Sequence, residues 1–377
     1  MHMSTETSIL DRVQSARHSE ERAQFNPSEL VSQFLRFLTS KEESVVRRRF
    51  GLGSQQQIET LEEIGATFHV TRERIRQIEN GAIRKLRDLK EFPVLMDHAQ
   101  RLVTETLAEH GGAMEQRTLF QSVITEEHTS AFNERSLAFL MRELLQTKIV
   151  ALPESDTLRA GWRLVVASTD LVEQIRAQAI AVFTNAGTPM PETELLAAIR
   201  KTPWYSANRG RVTDAHVLAA VALAKDVTRN PYDEYGLSSW GTVVPRRMSD
   251  KIYLVLKKHG KPMHFTKIAD AINKIRFDRR KAYPPTVHNE LILNDQYVLV
   301  GRGIYALREW GYKPGVVADV LADILRTAGH PLTRDELVEK VLEQRMVKRN
   351  TIHLALTNGA RFTKMADGRY VVNDQHG

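Results

Sequence analysis

The sequence predicts a mainly α chain: a helix-turn-helix domain followed by tandem winged-helix units, each of three helices plus a β-hairpin. Three observations carry that fold class. Residues 60–87, TLEEIGATFHVTRERIRQIENGAIRKLR, hold two amphipathic helical periods separated by a short turn. Four glycines, Gly111, Gly187, Gly260 and Gly329, open similar patterns at spacings of 76, 73 and 69 residues. The last two patterns keep register closely, because Val287, Tyr297, Gly303 and Tyr305 recur as Ile352, Phe362, Gly368 and Tyr370 at a constant offset of 65.

Taken in chain order, residues 1–24 are polar and are expected to form a disordered tail. Residues 25–92 form the helix-turn-helix domain. Thr60 with Glu63 is a capping box that starts one helix, whose stripe is Leu61, Ile64 and Phe68. Val70 closes the turn, and Thr71 is the N-cap of the next helix, with Ile75, Ile78, Ala82 and Leu86 inward. His69 stands where the turn favours a residue tolerant of left-handed backbone. Gly81 after Asn80 costs about 1 kcal/mol relative to Ala in a helix interior, so a fray or bend is expected beyond Glu79.

The repeats then follow as units at 93–167, 168–246, 247–310 and 311–377. In each, an amphipathic helix ends at the marker glycine, a C′ residue. A second helix places Leu119, Leu195, Ile268 or Leu337 five residues after Met114, Met190, Met263 or Leu332. A third helix and a hairpin complete the unit. The hairpin is clearest around Gly301-Arg302-Gly303 and Asp367-Gly368, and is placed near 148–164 and 227–237 in the first two units.

Arg72, Glu73, Arg76 and Gln77 share the outward face of the second helix of the turn motif, where such side chains address base edges in a major groove. Residues 71–87 hold six basic and two acidic side chains, a net of +4. Within this segment VTRERIRQIE at 70–79 is the specific string. With LTSKEESVVRRRFGL at 38–52 it resembles region 4 of bacterial primary sigma factors, over roughly residues 29–89. The resemblance implies that Arg72, Glu73, Arg76 and Gln77 read bases, with Arg76 able to touch phosphate as well. Thr71, Arg74, Arg84, Lys85 and Arg87 would meet the DNA backbone. It implies two partners, double-stranded DNA and RNA polymerase, the latter through its beta flap on part of the Leu30, Phe34, Phe37 and Leu38 surface. The same residues read alone are core. Arg47, Arg48 and Arg49 are either phosphate anchors or a soluble helix end. Only a short polar segment precedes Glu29, without the aromatic-rich helices that melt a promoter, so the chain is not expected to initiate transcription alone.

The third unit, DKIYLVLKKHGKPMHFTKIADAI at 250–272, resembles the HARE-HTH family, a winged-helix module of the polymerase delta subunit and of restriction and chromatin-associated proteins. The fourth unit is similar but weaker. Residues 245–281 contain twelve Lys or Arg and three Asp, a net of +9 that exceeds the +7 of the whole chain. Arg276, Arg279, Arg280 and Lys281 lie between its second and third helices and Arg302 tips its wing, positions suited to backbone phosphates. A solubilising loop is the plainer alternative.

The 377 residues, 42% hydrophobic and 26% charged, have room for several cores. With no cysteine, disulfides and thiolate metal sites are excluded. The longest aliphatic run, 217–224, is far shorter than the roughly 20 residues of a membrane span. His259, His264 and His288 lack ligand spacing, Asp88-Leu89-Lys90 has no supporting acid, and no phosphate-binding glycine loop occurs. No enzyme activity, metal or cofactor is therefore expected. The reading is a cytoplasmic, nucleoid-associated transcription regulator. Its rivals are a DNA-sensing adaptor of a restriction or defence system and an architectural scaffold.

Overall fold

The computed structural model describes residues 22–53, 57–312 and 315–373. Most of the tail expected at 1–24 lies outside them; residues 22–24 are helical. The chain divides into two compact units, one running to Thr228 and taking in Tyr235–Ser238, the other formed by Arg229–Glu234 and the residues from Ser239 onward.

The first unit opens with α1 (Pro27–Leu35), α2 (Ser40–Phe50), α3 (Leu61–Phe68) and α4 (Arg72–Arg87). Local chemistry sets these bounds. Asn26 caps α1, and Thr39/Glu42 and Thr60/Glu63 form reciprocal capping boxes on α2 and α3. Gly51 and His69 end α2 and α3 in left-handed backbone, at φ 64° and 53°. The fray expected beyond Glu79 does not occur: α4 is one continuous helix from Arg72 to Arg87. The packing of Ile75, Ala82, Ile83 and Leu86 outweighs a single glycine's propensity.

There follow α5 (Phe92–Glu109), β1 (Ala113–Glu115), α6 (Gln116–Val123), α7 (Ala131–Phe139), β2 (Ile149–Leu152) and β3 (Gly161–Leu164). Leu140–Leu144 extends α7 as a π turn. The strands form an antiparallel sheet in the order β1-β3-β2. One apolar core runs from Phe25 through Phe34, Leu86 and Leu102 to Trp162, so the turn motif and the first repeat share an interior.

The second repeat comprises α8 (Asp170–Ala186), β4 (Met190–Pro191), α9 (Glu192–Arg200), a short α10 (Pro203–Asn208), α11 (Asp214–Leu223), β5 (Val227–Arg229) and β6 (Glu234–Leu237), with sheet order β4-β6-β5. The third has α12 (Met248–His259), β7 (Met263–His264), α13 (Phe265–Ile275), α14 (Pro284–Leu293), β8 (Tyr297–Gly301) and β9 (Ile304–Leu307), with order β7-β9-β8. The fourth has α15 (Val317–Ala328), α16 (Arg334–Gln344), α17 (Arg349–Leu356), β10 (Phe362–Lys364) and β11 (Tyr370–Val372). An isolated Leu332–Tyr370 bridge stands where a first strand would lie. Gly187, Gly260 and Gly329 end α8, α12 and α15 at φ near 67–70°, the left-handed cap their positions demanded. Each recurrence is thus helix, short extended segment, helix, helix and hairpin. The second copy carries the extra α10 and the first carries the π turn.

Candidate nucleic-acid interface

The turn motif has a small core of its own: Val45, Ile64 and Ile75 are buried, with Leu61, Phe68, Val70 and Ile78 packed around them. Its geometry depends on a residue that sequence reasoning passed over. A Cβ on Gly65 would stand 2.7 Å from the Val70 carbonyl oxygen, so only glycine lets the turn fold this closely onto α3. A glycine inside a short, strongly capped helix is the signal that could have revealed it.

Thr71 caps α4, its hydroxyl accepting the Arg74 N–H at 3.2 Å. Arg72, Glu73, Arg76 and Gln77 are all exposed on the first two turns of α4. Arg76 donates Nε and Nη2 to the Glu73 carboxylate at 2.8 and 2.7 Å, leaving Nη1 out of the pair. Arg74 donates to Gln77 Oε1 at 3.1 Å. The Arg76 guanidinium holds the Glu73 carboxyl below its ordinary range. The outward face is therefore an exposed set of donors and acceptors in which Arg76 pairs with Glu73 and Arg74 with Gln77. Exposed pairs of this kind cost little to rearrange, so the groups are available to base edges and phosphates.

The remaining basic residues of α4 divide. Arg84 is exposed. Lys85 pairs with Glu42 on α2 at 3.2 Å. Arg87 points into the first repeat, donating Nε to the Glu143 carbonyl at 2.6 Å with its guanidinium 3.8 Å from the Glu143 carboxylate. Arg47, Arg48 and Arg49 are internal ties: Arg47 pairs with Glu43, Arg48 with Glu59, and Arg49 with Glu79 at 3.7 Å. Burial pushes the Glu79 and Glu143 carboxyls up, with Arg49 and Arg87 working against that shift. Of the apolar residues on α1 and the turn after it, Phe34 and Leu38 are buried and Leu30 half-buried, while Phe37 is 38% exposed. The Phe34 ring meets Phe92 at 5.8 Å, and Ser28 N–H donates to Asn133 on α7.

In the second unit, Arg276, Arg279, Arg280 and Lys281 are exposed on the loop after α13, and Arg302 is exposed at the β8–β9 turn. His264 and His288 flank Phe265 with ring centroids 4.5 Å away on each side, which accounts for both as packing residues. Among the described residues no group of His, Asp and Glu could hold a metal ion, and no helix is long and apolar enough to cross a membrane.

The third helices of the second and third repeats contrast with α4, whereas α17 of the fourth opens on the exposed Arg349. α11 carries no Lys or Arg and buries Val217, Ala219, Ala220, Val221 and Leu223, packing on α8 and β1. α14 also lacks Lys and Arg. α7 packs on α1. The capped, close turn and the basic exposed face of α4 define one element as a helix-turn-helix recognition module. Residues 34–88 match the model of Sigma-70, region 4, and form a domain of that family. The chain is 50% identical over 70 residues to RNA polymerase sigma factor SigA of Clostridium acetobutylicum, covering 19% of this chain and 18% of that protein. It is 56% identical over 69 residues to SigA of Listeria monocytogenes, 18% of each. It is 51% identical over 61 residues to RpoD of Helicobacter pylori, 16% of this chain and 9% of that protein. The chain thus spans less than a fifth of the length of the curated relatives it matches.

Proposed function

We propose that the chain is a non-catalytic, DNA-binding transcription regulator that reads upstream promoter duplex with α4 and contacts RNA polymerase, working beside a complete sigma factor. The observation that carries this reading is the exposure of Arg72, Glu73, Arg76 and Gln77 on one face of a region 4 domain. The sigma factors compared above align with this chain over 61 to 70 residues around α4, which supports a region 4 reading module. The rest of the chain is read as four winged-helix units at 93–167, 168–246, 247–310 and 311–377, the third HARE-HTH-like. The recurring three helices and hairpin support that. A cytoplasmic, nucleoid-associated location goes with the function.

The repeats serve mainly as a scaffold in this mechanism. In the second and third repeats the third helix carries no Lys or Arg and so has no cation to offer a major groove. Polymerase contact through the beta flap would fall to Phe37 and its exposed neighbours on α1, since Phe34 and Leu38 are already covered.

Site selection from a random duplex pool tests the reading. Arg72→Ala and Gln77→Ala should each weaken the best site by about 1–3 kcal/mol and relax preference at one base pair. Arg84→Ala should weaken all sequences alike and reduce the salt slope by about one. If the wild-type chain enriches no sequence, α4 is not a reading helix.

A further inference from the structure

The loop between α13 and α14 is held from both ends. Asn273 donates its side-chain amide to the Ala282 carbonyl at 2.8 Å and accepts the Ala282 N–H at 2.7 Å. Lys251, with a side chain only 5% exposed, pairs with Asp278 at 2.6 Å, so the one acid of the loop is neutralised from within. Arg276 adopts left-handed backbone at φ 57°, a conformation disfavoured without glycine and kept here by the clamped loop. Arg276, Arg279, Arg280 and Lys281 then line a concavity of about 700 Å3. Beside them Tyr283 is 59% exposed, with the Lys281 ammonium 5.8 Å from its ring centroid. The adjoining α14 is no partner for a duplex: it opens with two prolines, has no Lys or Arg, and exposes Ile292 and Leu293.

We infer that this loop binds single-stranded DNA, its four cations taking the phosphates and Tyr283 stacking an unpaired base. This rests on the DNA-binding reading above and adds the kind of strand that the second unit takes. Clustered cations beside an exposed aromatic ring suit a single strand, whose bases are free to stack. A duplex keeps its bases stacked on each other and leaves Tyr283 without a role.

The full chain, titrated by fluorescence anisotropy, provides the test. One probe is a labelled oligothymidine of about 12 nucleotides, within the range such sites accommodate; the other is the duplex that α4 selects. Tyr283→Ala should weaken oligothymidine binding about five- to a hundredfold, the range of one lost base stack, with Tyr283→Phe close to wild type. Arg279→Gln with Arg280→Gln should weaken it too and flatten its salt dependence. Duplex binding should ignore Tyr283→Ala and respond to Arg72→Ala. Unchanged oligothymidine affinity in Tyr283→Ala overturns the inference. So does an arginine double variant that loses duplex and single strand equally, which would make the loop a duplex phosphate anchor. Should Arg72→Ala leave the duplex unaffected while the Tyr283 effect holds, the promoter-reading function falls and the single-strand site stands.

Discussion

Gly65 and Gly81 are both glycines inside helices, and they should answer substitution in opposite directions. An alanine Cβ at 65 would press on the Val70 carbonyl at 2.7 Å, and backbone cannot rotate away as a side chain can. Overpacking of this kind costs about 1–3 kcal/mol, so Gly65→Ala should open the turn and weaken duplex binding. At 81 nothing lies within 4 Å of the added methyl and the backbone is helical. Gly81→Ala should therefore stabilise α4 by about 0.5–1 kcal/mol. Native-state hydrogen exchange of α4 amides measures both; equal and opposite errors here would discredit the close-turn geometry. The pair also marks what sequence could reveal. Gly81 stands out because propensity is local, yet α4 runs on past it to Arg87, with Ile83 and Leu86 buried beyond it. Gly65 was missed because its neighbour is set by the turn. Arg87 was placed with the phosphate contacts because its partner, Glu143, lies 56 residues away.

Among elements, those fixed by short-range chemistry were legible and those fixed by packing were not. The α3 and α4 starts follow from Thr60, Glu63 and Thr71, and three of the repeat glycines end their helices as their spacing required. The burial of α11 on β1 could not be read from its own residues, since a cation-free helix suits many partners. The cap of α2 also has a pH consequence. Thr39 backbone N–H donates to Glu42, and that bond holds the carboxyl below its ordinary value of 4.5. A depressed folded pKa means the cap stabilises above the unfolded value and is lost as pH falls through the folded one. Glu42→Ala should cost about 0.3–1 kcal/mol at neutral pH. The gap from wild type should narrow as pH falls from 4.5 through the lower folded value, where Glu42 protonates in the folded chain. Urea denaturation followed at α2 amide resonances will show it. A gap that stays constant down to the acid limb would mean Glu42 does not sustain the cap.

At the scale of the molecule, the reading helix is not a tethered module. Phe50 packs on Phe139 with ring centroids 4.9 Å apart, Arg87 reaches Glu143, and one core joins α1, α4 and α5 to the first sheet. A mounting of this kind would fix the angle between a bound duplex and the first repeat, which suits positioning more than melting. Positioning does not by itself open a promoter, and a site that holds a strand already separated, such as the Arg276–Tyr283 loop inferred above, does not separate it. Core RNA polymerase supplied with this protein and no other factor should accordingly give no specific transcript from a linear duplex promoter. With a complete sigma factor present, the protein should raise or lower initiation at promoters that carry its selected sequence. Arg72→Ala should remove that change while leaving basal transcription as it was. Run-off transcription with and without each component measures all three outcomes. Accurate initiation by core enzyme and this chain alone would show that the repeats, and the Arg276–Tyr283 loop first among them, open DNA as well as hold it.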